Sequence, residues 1–314
     1  MPTLRIPSAP PVSWTLAALL AALAVPAPAT AQGGPLFPEP FVVEHRLVQT
    51  DGDGERFETE PVTDYYGGSW IVSVRPDGSR LVVDLARREV TEVRPDRGVF
   101  WSLDFGRLAE LTERAAQAQW RKRAGAPDEA PAPASLGAKE APAELVVQEL
   151  PAGGTVARRS GGSATAAVAT APPGVRRLRV VDATRAEDPD AGVEVWLDPS
   201  VRMRPAALAA LTALETALAG GRGGEKGDGG PPVARHLAAA RSHAAGAVPV
   251  RTIRTLGSGP PSARVRLEDV TSRLEPLDDF PEELVAVPEG LRRAPHPLEG
   301  VVAFLEDEAE RARR

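Results

Sequence analysis

The chain contains no cysteine, and this absence excludes several classes of site at once. Without cysteine there is no disulfide, no thiolate metal site and no thiol-based catalytic centre. There is also no cysteine to carry the lipid that anchors a lipoprotein to a membrane. We therefore expect a fold that is stabilised by side-chain packing alone.

Aromatic residues and clustered positive charge are also scarce. Aromatics make up 4% of the chain and apolar residues 42%, so the core is expected to consist mainly of Val, Leu and Ala. The formal net charge is −6, with acidic and basic residues dispersed along the sequence. Because nucleic acids and anionic membranes are bound through clustered Lys and Arg, neither is expected as a partner.

A long apolar run occurs in the first 31 residues. Arg5 precedes an apolar run from Trp14 to Val25, and Ala29–Ala31 supplies the small residues that a signal peptidase reads. The run is shorter than the roughly 20 residues that a membrane-spanning helix needs. The pattern predicts a signal peptide at residues 1–31, cleaved before Gln32. The expected product is periplasmic or secreted, with no stable membrane anchor.

Proline and glycine, 32 and 29 residues respectively, are concentrated in a few segments and suggest ordered blocks joined by linkers. The chain is predicted to begin with a signal peptide at 1–31 and a flexible N-terminus at 32–40. A first half of a sheet with a helix follows at 41–123, and a Pro/Ala/Gly-rich linker at 124–174 separates it from the second half. The second half of the sheet with helices spans 175–290, including a Gly-rich insert at 220–230, and a C-terminal helix is predicted at 291–314.

Alternating apolar residues predict the strands. In the first block, Phe41–Val48 and Trp70–Val74 read as strands, and residues 81–103 read as an antiparallel meander with a turn at Pro76–Gly78 before it. Asp104 is a candidate N-cap for the helix that follows. In the second block we predict a hairpin formed by residues 178–180 and 193–197, a helix from Pro205, a short helix around Leu237, strands at 248–256 and 264–274, and a final helix from Pro297.

The candidate metal and catalytic patterns are weak. His236 and His243 are seven residues apart, but zinc usually has three or four ligands, so we interpret them as surface histidines. Asp51, Asp53 and Glu55 resemble the start of a calcium loop without its closing Glu, and we interpret them as a polar turn. His45 alternates with apolar residues and is interpreted as a sheet histidine rather than a catalytic base. No catalytic or metal residue and no cofactor is predicted.

Several phrases of the sequence carry a family resemblance. They are SRLVVDLARREVTEVRPDRGVFWSLDF, GVEVWLDPSV, VPVRTIRTL and DDFPEELVAVPEG. In this order they resemble exported relatives of the LolA-like superfamily of periplasmic lipoprotein carriers. The resemblance covers most of residues 41–290. It implies an α+β fold in which a strongly curved antiparallel sheet forms a half-barrel, helices pack on its concave face, and the two blocks belong to one sheet.

The resemblance also suggests candidate ligand-binding residues. Trp70, Trp101 and Trp196 each fall in a predicted strand, and in a half-barrel they would line a hydrophobic cavity. The alternative is that they pack the sheet against its helices. Trp196 alternates with Val195 and Leu197, so its side chain is expected on the other face of that strand.

Three functions stay open at this point. The leading expectation is an exported, non-enzymatic protein that binds a lipid or another hydrophobic ligand in the half-barrel cavity. The alternative is an envelope structural or interaction protein, whose core is filled by its own side chains and which binds another envelope protein. A hydrolase with a pair of carboxylates is the third, since such a pair needs proximity in space and no sequence spacing.

Overall fold

The computed structural model describes residues 34–124, 144–151, 172–188, 191–219, 233–256 and 264–311. The predicted signal peptide with its cleavage site before Gln32, the Gly-rich insert at 220–230 and most of the predicted linker at 124–174 lie outside the described residues. Among the residues that the structure describes, no helix combines the length and the apolarity needed to cross a bilayer.

The described chain has a mixed α+β fold. Its strands are β1 (Phe37–Thr50), β2 (Arg56–Glu58), β3 (Val62–Gly68), β4 (Trp70–Val74), β5 (Arg80–Asp84), β6 (Glu89–Arg94), β7 (Val99–Asp104), β8 (Leu145–Leu150), β9 (Arg176–Asp182), β10 (Val193–Arg202), β11 (Ala247–Leu256), β12 (Val265–Pro276) and β13 (Arg292–Arg293). The described helices are α1 (Phe105–Ala124), α2 (Pro205–Ala219), α3 (Val233–His243) and α4 (Pro297–Arg311). The predicted α+β class is confirmed.

All thirteen strands belong to one sheet, which is almost entirely antiparallel. The strand order is β13-β7-β6-β5-β4-β3-β1-β12-β11-β10-β9-β8, and β2 pairs separately with β1. The long pairing of β1 with β12, from Phe41 opposite Pro276 to Thr50 opposite Arg266, joins the two predicted halves. The short β13 pairs in parallel with β7. The two halves of the sequence therefore form a single sheet.

Local chemistry explains the first half of the sheet. At the turn between β4 and β5, Arg75 donates its backbone N–H to the carbonyl of Ser79, and the Asp77 carboxylate accepts from the N–H of Ser79. Gly78 in this turn has φ +77°, which a residue without Cβ adopts at little cost. Asp104 accepts from the N–H of Arg107 and caps α1. The predicted meander and N-cap are confirmed.

The four described helices pack on one face of the sheet, called here the helix face. Strand register defines it by one row of residues, Phe41, Tyr66, Ile71, Val83, Val90 and Leu103. α1 and α2 bury Leu108 and Leu211 against the first half, while α3 buries Ala240 against β9 and β10 of the second half. α4 packs on α1 through Val302. The main core therefore lies between the helices and this face.

The opposite side, called here the reverse face, is defined by the row Val42, Tyr65, Val72, Val82, Thr91 and Ser102. In the first half of the sheet it is crossed by the segment 277–291, called here the crossing segment. Phe280 of this segment lies against Gly67, and Arg80 donates to the carbonyl of Ala286. The chain then adds β13 beside β7 and returns to the helix face with His296, which contacts Trp101.

Four strands were not expected from the sequence: the short β2 and β13, and the longer β3 and β8. β3 was missed because its apolar alternation ends in Gly67-Gly68, and polar residues such as Asp64 occupy inward positions. β8 falls within the predicted linker at 124–174. It forms because the run Leu145–Val147 pairs with β9, and two of its residues pack beside the core that α3 covers.

Candidate functional site

A cleft of about 230 Å³ opens on the helix face where β1 begins and where β10 turns into α2. It is lined by Leu36, Phe37, Pro38, Glu39, Phe41, Arg202, Met203 and Arg204. One wall therefore comes from the start of the first half of the sheet, and the other comes from the second half. The β1–β12 pairing described above brings these distant segments together.

The floor of the cleft is apolar and aromatic. Phe37, Phe41 and Met203 are 2%, 2% and 6% exposed and belong to the largest core cluster. The ring of Phe41 stacks on Tyr66 with centroids 4.5 Å apart, and Phe37 meets Tyr66 edge-on at 5.5 Å. Met203 donates its N–H to the carbonyl of Gly246 over 2.9 Å, which fixes its backbone while its thioether stays adaptable.

The rim of the cleft is charged. Arg202, Arg204 and Glu39 are exposed, and the Nε of Arg202 donates to the carbonyl of Pro199 over 3.3 Å. Within the described part of the chain, the guanidinium groups of Arg202 and Arg204 form no ion pair. The cleft thus combines an apolar floor with a rim of two cations and one anion, an arrangement typical of small-molecule sites.

A second polar feature of the helix face lies at the β1–β12 junction. His45 contacts Asp269 through Nδ1 at 2.8 Å and Asp64 through Nε2 at 3.3 Å. Burial opposes the charge of His45, but hydrogen bonds and attraction from both carboxylates outweigh it and raise its pKa to about 11. His45 is therefore protonated at neutral pH and links β1, β3 and β12; an imidazolium cannot serve as a general base.

Buried polar atoms without a hydrogen-bond partner occur on the helix face, both in this cluster and further along the sheet. In the described structure they include Oδ1 of Asp64, the hydroxyl of Ser73 and Nε1 of Trp101. Asp64 and Ser73 are directly opposed in the β3–β4 register. Such atoms are usually satisfied by water or a ligand, so the helix face is not a uniformly apolar surface.

Glu92 is a second buried carboxylate on the helix face, and it contacts two arginines. Its pKa is raised by burial, against the opposing charges of Arg75 and Arg94 at 3.3 Å and 3.6 Å. Asp64 lies three strands away, about 14 Å along the sheet at the usual strand spacing. Paired hydrolytic carboxylates lie roughly 5–10 Å apart, so Asp64 and Glu92 do not form such a pair.

The structure does not bring the three predicted tryptophans together. Trp101 lies on the helix face, 6% exposed, with its ring edge-on to His296 at 5.8 Å. Trp70 is half-buried on the reverse face of the first half. Trp196 lies on the reverse face of the second half, as its alternation with Val195 and Leu197 predicted. None of the three lines the cleft, and their role in ligand binding stays a prediction.

Trp196 has a distinct charged environment. The guanidinium carbons of Arg177 and Arg251 lie 5.1 Å and 4.9 Å from its ring centroid, one cation–π contact each. Its Nε1 donates to Glu194 over 2.5 Å. The ring and the N–H group of the indole thus have partners within the protein, and we interpret the role of Trp196 as structural.

The weak motifs found in the sequence take up ordinary positions. The Asp51 carboxylate accepts from the backbone N–H groups of Asp53 and Glu55, which closes a polar turn. His236 is 4% exposed, contrary to the expected surface position, because α3 turns it toward the sheet; His243 is exposed. Across the described ranges, no group of three or more His, Asp or Glu residues could hold a metal ion.

Sequence reasoning missed the cleft. Phe37 and Phe41 share a strand face, a signal visible in the even spacing of two aromatic residues. Met203, in contrast, stands alone between two arginines, and nothing in its surroundings predicts that it meets a strand more than 160 residues earlier.

No family model matches the chain, and no curated protein matches it.

Proposed function

We propose that this chain is an exported, non-enzymatic protein that binds a lipid acyl chain or another apolar ligand in a LolA-like half-barrel, with the helices on the concave face. The observation that carries the proposal is the cleft between β1 and the β10–α2 turn. Its floor of Phe37, Phe41 and Met203 is almost fully shielded from water yet adjoins an opening. Such a surface favours an apolar chain over water.

The cleft leads toward the packed core between α1, α2 and the sheet. The side of α2 that faces the sheet carries Ala207, Leu211 and Leu214, which contact β-sheet residues of the main core cluster. At about 230 Å³ the cleft lies just below the range of roughly 300–1,000 Å³ common for small-molecule sites. A ligand is therefore expected to enter beside Met203 and to shift α2 away from β1.

The proposed ligand contacts begin with Phe37, Phe41 and Met203. Of the three predicted tryptophans, Trp101 shares the helix face with these residues, but it lies on β7, five strands from β1. In the proposal, the signal peptide at 1–31 directs the mature chain to the periplasm or beyond, where a carrier for an apolar molecule needs no nucleotide cofactor.

The proposal is tested on the chain expressed with its leader and purified without detergent. Native mass and an organic extract are compared between the wild type, Met203→Trp, which fills the cleft, and Met203→Leu, which conserves its volume. We expect an apolar molecule at near-stoichiometric level in the wild type and in Met203→Leu, and its loss in Met203→Trp. A clean apo mass together with no uptake of added fatty acid or phospholipid contradicts the proposal.

The second candidate function is an envelope interaction protein, and one observation favours it. Val301 and Phe304 of α4 are 43% and 58% exposed and, three residues apart, lie side by side on the helix surface. Exposed apolar patches mark interaction sites. This candidate predicts that the purified chain associates with itself or with an envelope protein, and that Phe304→Glu abolishes the association without changing any ligand content.

A further inference from the structure

The rim of the cleft bears on the chemical class of the ligand. Its two guanidinium groups belong to Arg202 and Arg204, which flank Met203 in the sequence, and all three residues line the cleft. The rim also contains one carboxylate, that of Glu39, so its formal charge is +1. The whole chain has a formal net charge of −6, so the charge of this rim is opposite in sign to that of the chain.

Several arginines elsewhere in the molecule are neutralised by carboxylates. Arg177 lies 2.8 Å from Glu194, Arg251 lies 2.5 Å from Glu268, and the half-buried Arg114 lies 3.0 Å from Glu306. Arg202 and Arg204 have no such partner among the described residues. Their charges are thus available to a bound molecule at the position where the apolar floor ends.

We infer that the ligand is an amphiphile with an anionic head group, a carboxylate or a phosphate, whose apolar tail lies over Phe37, Phe41 and Met203 while Arg202 and Arg204 bind the head. This inference rests on the proposed function and specifies its ligand class. Arginine presents a planar fork of donors that matches carboxylate and phosphate oxygens, and it stays charged at any physiological pH. The tail is buried and the charged head stays at the solvent-exposed rim, so no charge is desolvated inside the core.

The test compares three probes of equal chain length: decanoate, decanol and decylamine. Their binding to the full chain is measured by calorimetry at neutral pH and physiological ionic strength, below the concentrations at which the probes form micelles. We expect decanoate to bind at least about tenfold more tightly than decylamine. Non-specific electrostatic attraction would favour decylamine instead, because the protein has a negative net charge and the amine is a cation at neutral pH.

Variants connect the preference to the rim. Arg202→Glu/Arg204→Glu is expected to abolish the preference for decanoate, whereas Arg202→Lys/Arg204→Lys retains most of it. The matched control is Arg87→Glu/Arg97→Glu, which makes the same change of charge at side chains that are 77% and 65% exposed and do not line the cleft. All these positions are exposed, so folding should be preserved, and circular dichroism checks it. Decyl phosphate then distinguishes a phosphate head from a carboxylate head.

Each outcome has one meaning. Preference for decanoate that disappears in the Arg202→Glu/Arg204→Glu variant alone supports the inference. Equal binding of the three probes, tighter binding of decylamine, or a preference that survives the double reversal overturns the inference and leaves the proposed function standing. Failure of all three probes to bind overturns both.

Discussion

The two halves of the reverse face are protected from water in different ways. In the first half, the reverse face is apolar: Val42, Val72 and Val82 are 1%, 0% and 3% exposed. The crossing segment runs over this half, with Phe280 against Gly67 and Ala286 bonded to Arg80. Apolar surface of this kind needs a cover, and a stretch of the chain's own backbone provides it.

The second half of the reverse face consists of paired charges around one indole. Arg177 pairs with Glu194 and Arg251 with Glu268, and both guanidinium groups lie against Trp196. Arg266 adds a further contact to Glu268 at 2.6 Å. These charged side chains, together with Val175, shield this part of the sheet face, and Trp196 and Arg177 are both 5% exposed.

The comparison shows why the helix face is where a ligand is expected. On the reverse face, the crossing segment covers the first half and ion pairs surround Trp196 in the second, although the Nε atoms of Arg80 and Arg251 have no hydrogen-bond partner in the described structure. On the helix face, the cleft lined by Phe37 and Met203 adjoins solvent, and Arg202 and Arg204 keep charges unpaired within the described structure. At this cleft, an apolar surface that adjoins solvent lies next to arginines without an ion pair.

The largest expected loss of stability comes from a substitution in the second half of the reverse face, where paired charges surround Trp196. Trp196→Ala removes a side chain that is 5% exposed and leaves two guanidinium groups without their aromatic partner. We expect the free energy of unfolding to fall by about 3–5 kcal/mol, measured by chemical denaturation. The control is Trp70→Ala, whose half-buried side chain should cost clearly less. Equal losses from the two variants would refute the structural role assigned to Trp196.

The next effect concerns the junction between the halves. His45→Gln removes the cation between Asp64 and Asp269, leaving two carboxylates close together, and should cost about 3 kcal/mol of unfolding free energy. Since the pKa of His45 is raised to about 11, its stabilising contribution is full below pH 6.5 and is lost as the pH rises toward 11. The wild type should therefore lose stability over that range relative to His45→Gln. A constant difference between the two proteins across this range would contradict the prediction.

His296, where the chain leaves the reverse face, should make the stability of the protein depend on acid pH. Burial lowers the pKa of His296 to about 4, so the folded protein keeps it neutral while the unfolded chain binds a proton near pH 6.5. The free energy of unfolding is therefore expected to fall as the pH decreases from 6.5 to 4. The His296→Asn variant keeps an acceptor for the N–H of Leu298 and should show a smaller slope. Identical slopes would exclude His296 as the source.

A smaller effect tests the crossing segment. A Cβ at Gly67 would lie 2.4 Å from a ring carbon of Phe280, so Gly67→Ala must displace that ring. We expect a loss of about 1–3 kcal/mol and faster proteolysis within residues 277–291. Gly300→Ala is the matched control, because nothing lies within 4 Å of its added Cβ and α4 should gain up to about 1 kcal/mol. An unchanged proteolysis rate in Gly67→Ala would contradict the contact between the crossing segment and the reverse face.

Local chemistry allowed part of this architecture to be predicted. The turn at Asp77-Gly78, the cap at Asp104 and the hairpin of β9 and β10 each depend on residues close in sequence, and the structure contains all three. Trp196 was placed on the correct side of its strand because side chains alternate with period two.

Long-range pairing was beyond what local patterns determine. The contact of His45 with Asp269 spans 224 residues, and Arg80 meets Ala286 across 206 residues. No spacing rule connects such positions, so neither the charged cluster nor the crossing segment was predicted. The cleft was missed for the same reason: Phe37 and Met203 are 166 residues apart in sequence and line one cleft in a fold in which β1 pairs with β12.

The most direct test of the central claim locates the ligand on the protein. Decanoic acid with a photoreactive diazirine at the end of its tail is bound to the full chain, irradiated, and the labelled residues are identified by peptide mass spectrometry. The account predicts labels on Phe37, Phe41 or Met203 that excess decanoate suppresses. Labelling concentrated on Val301 and Phe304 of α4, or labelling that decanoate does not suppress, would contradict it.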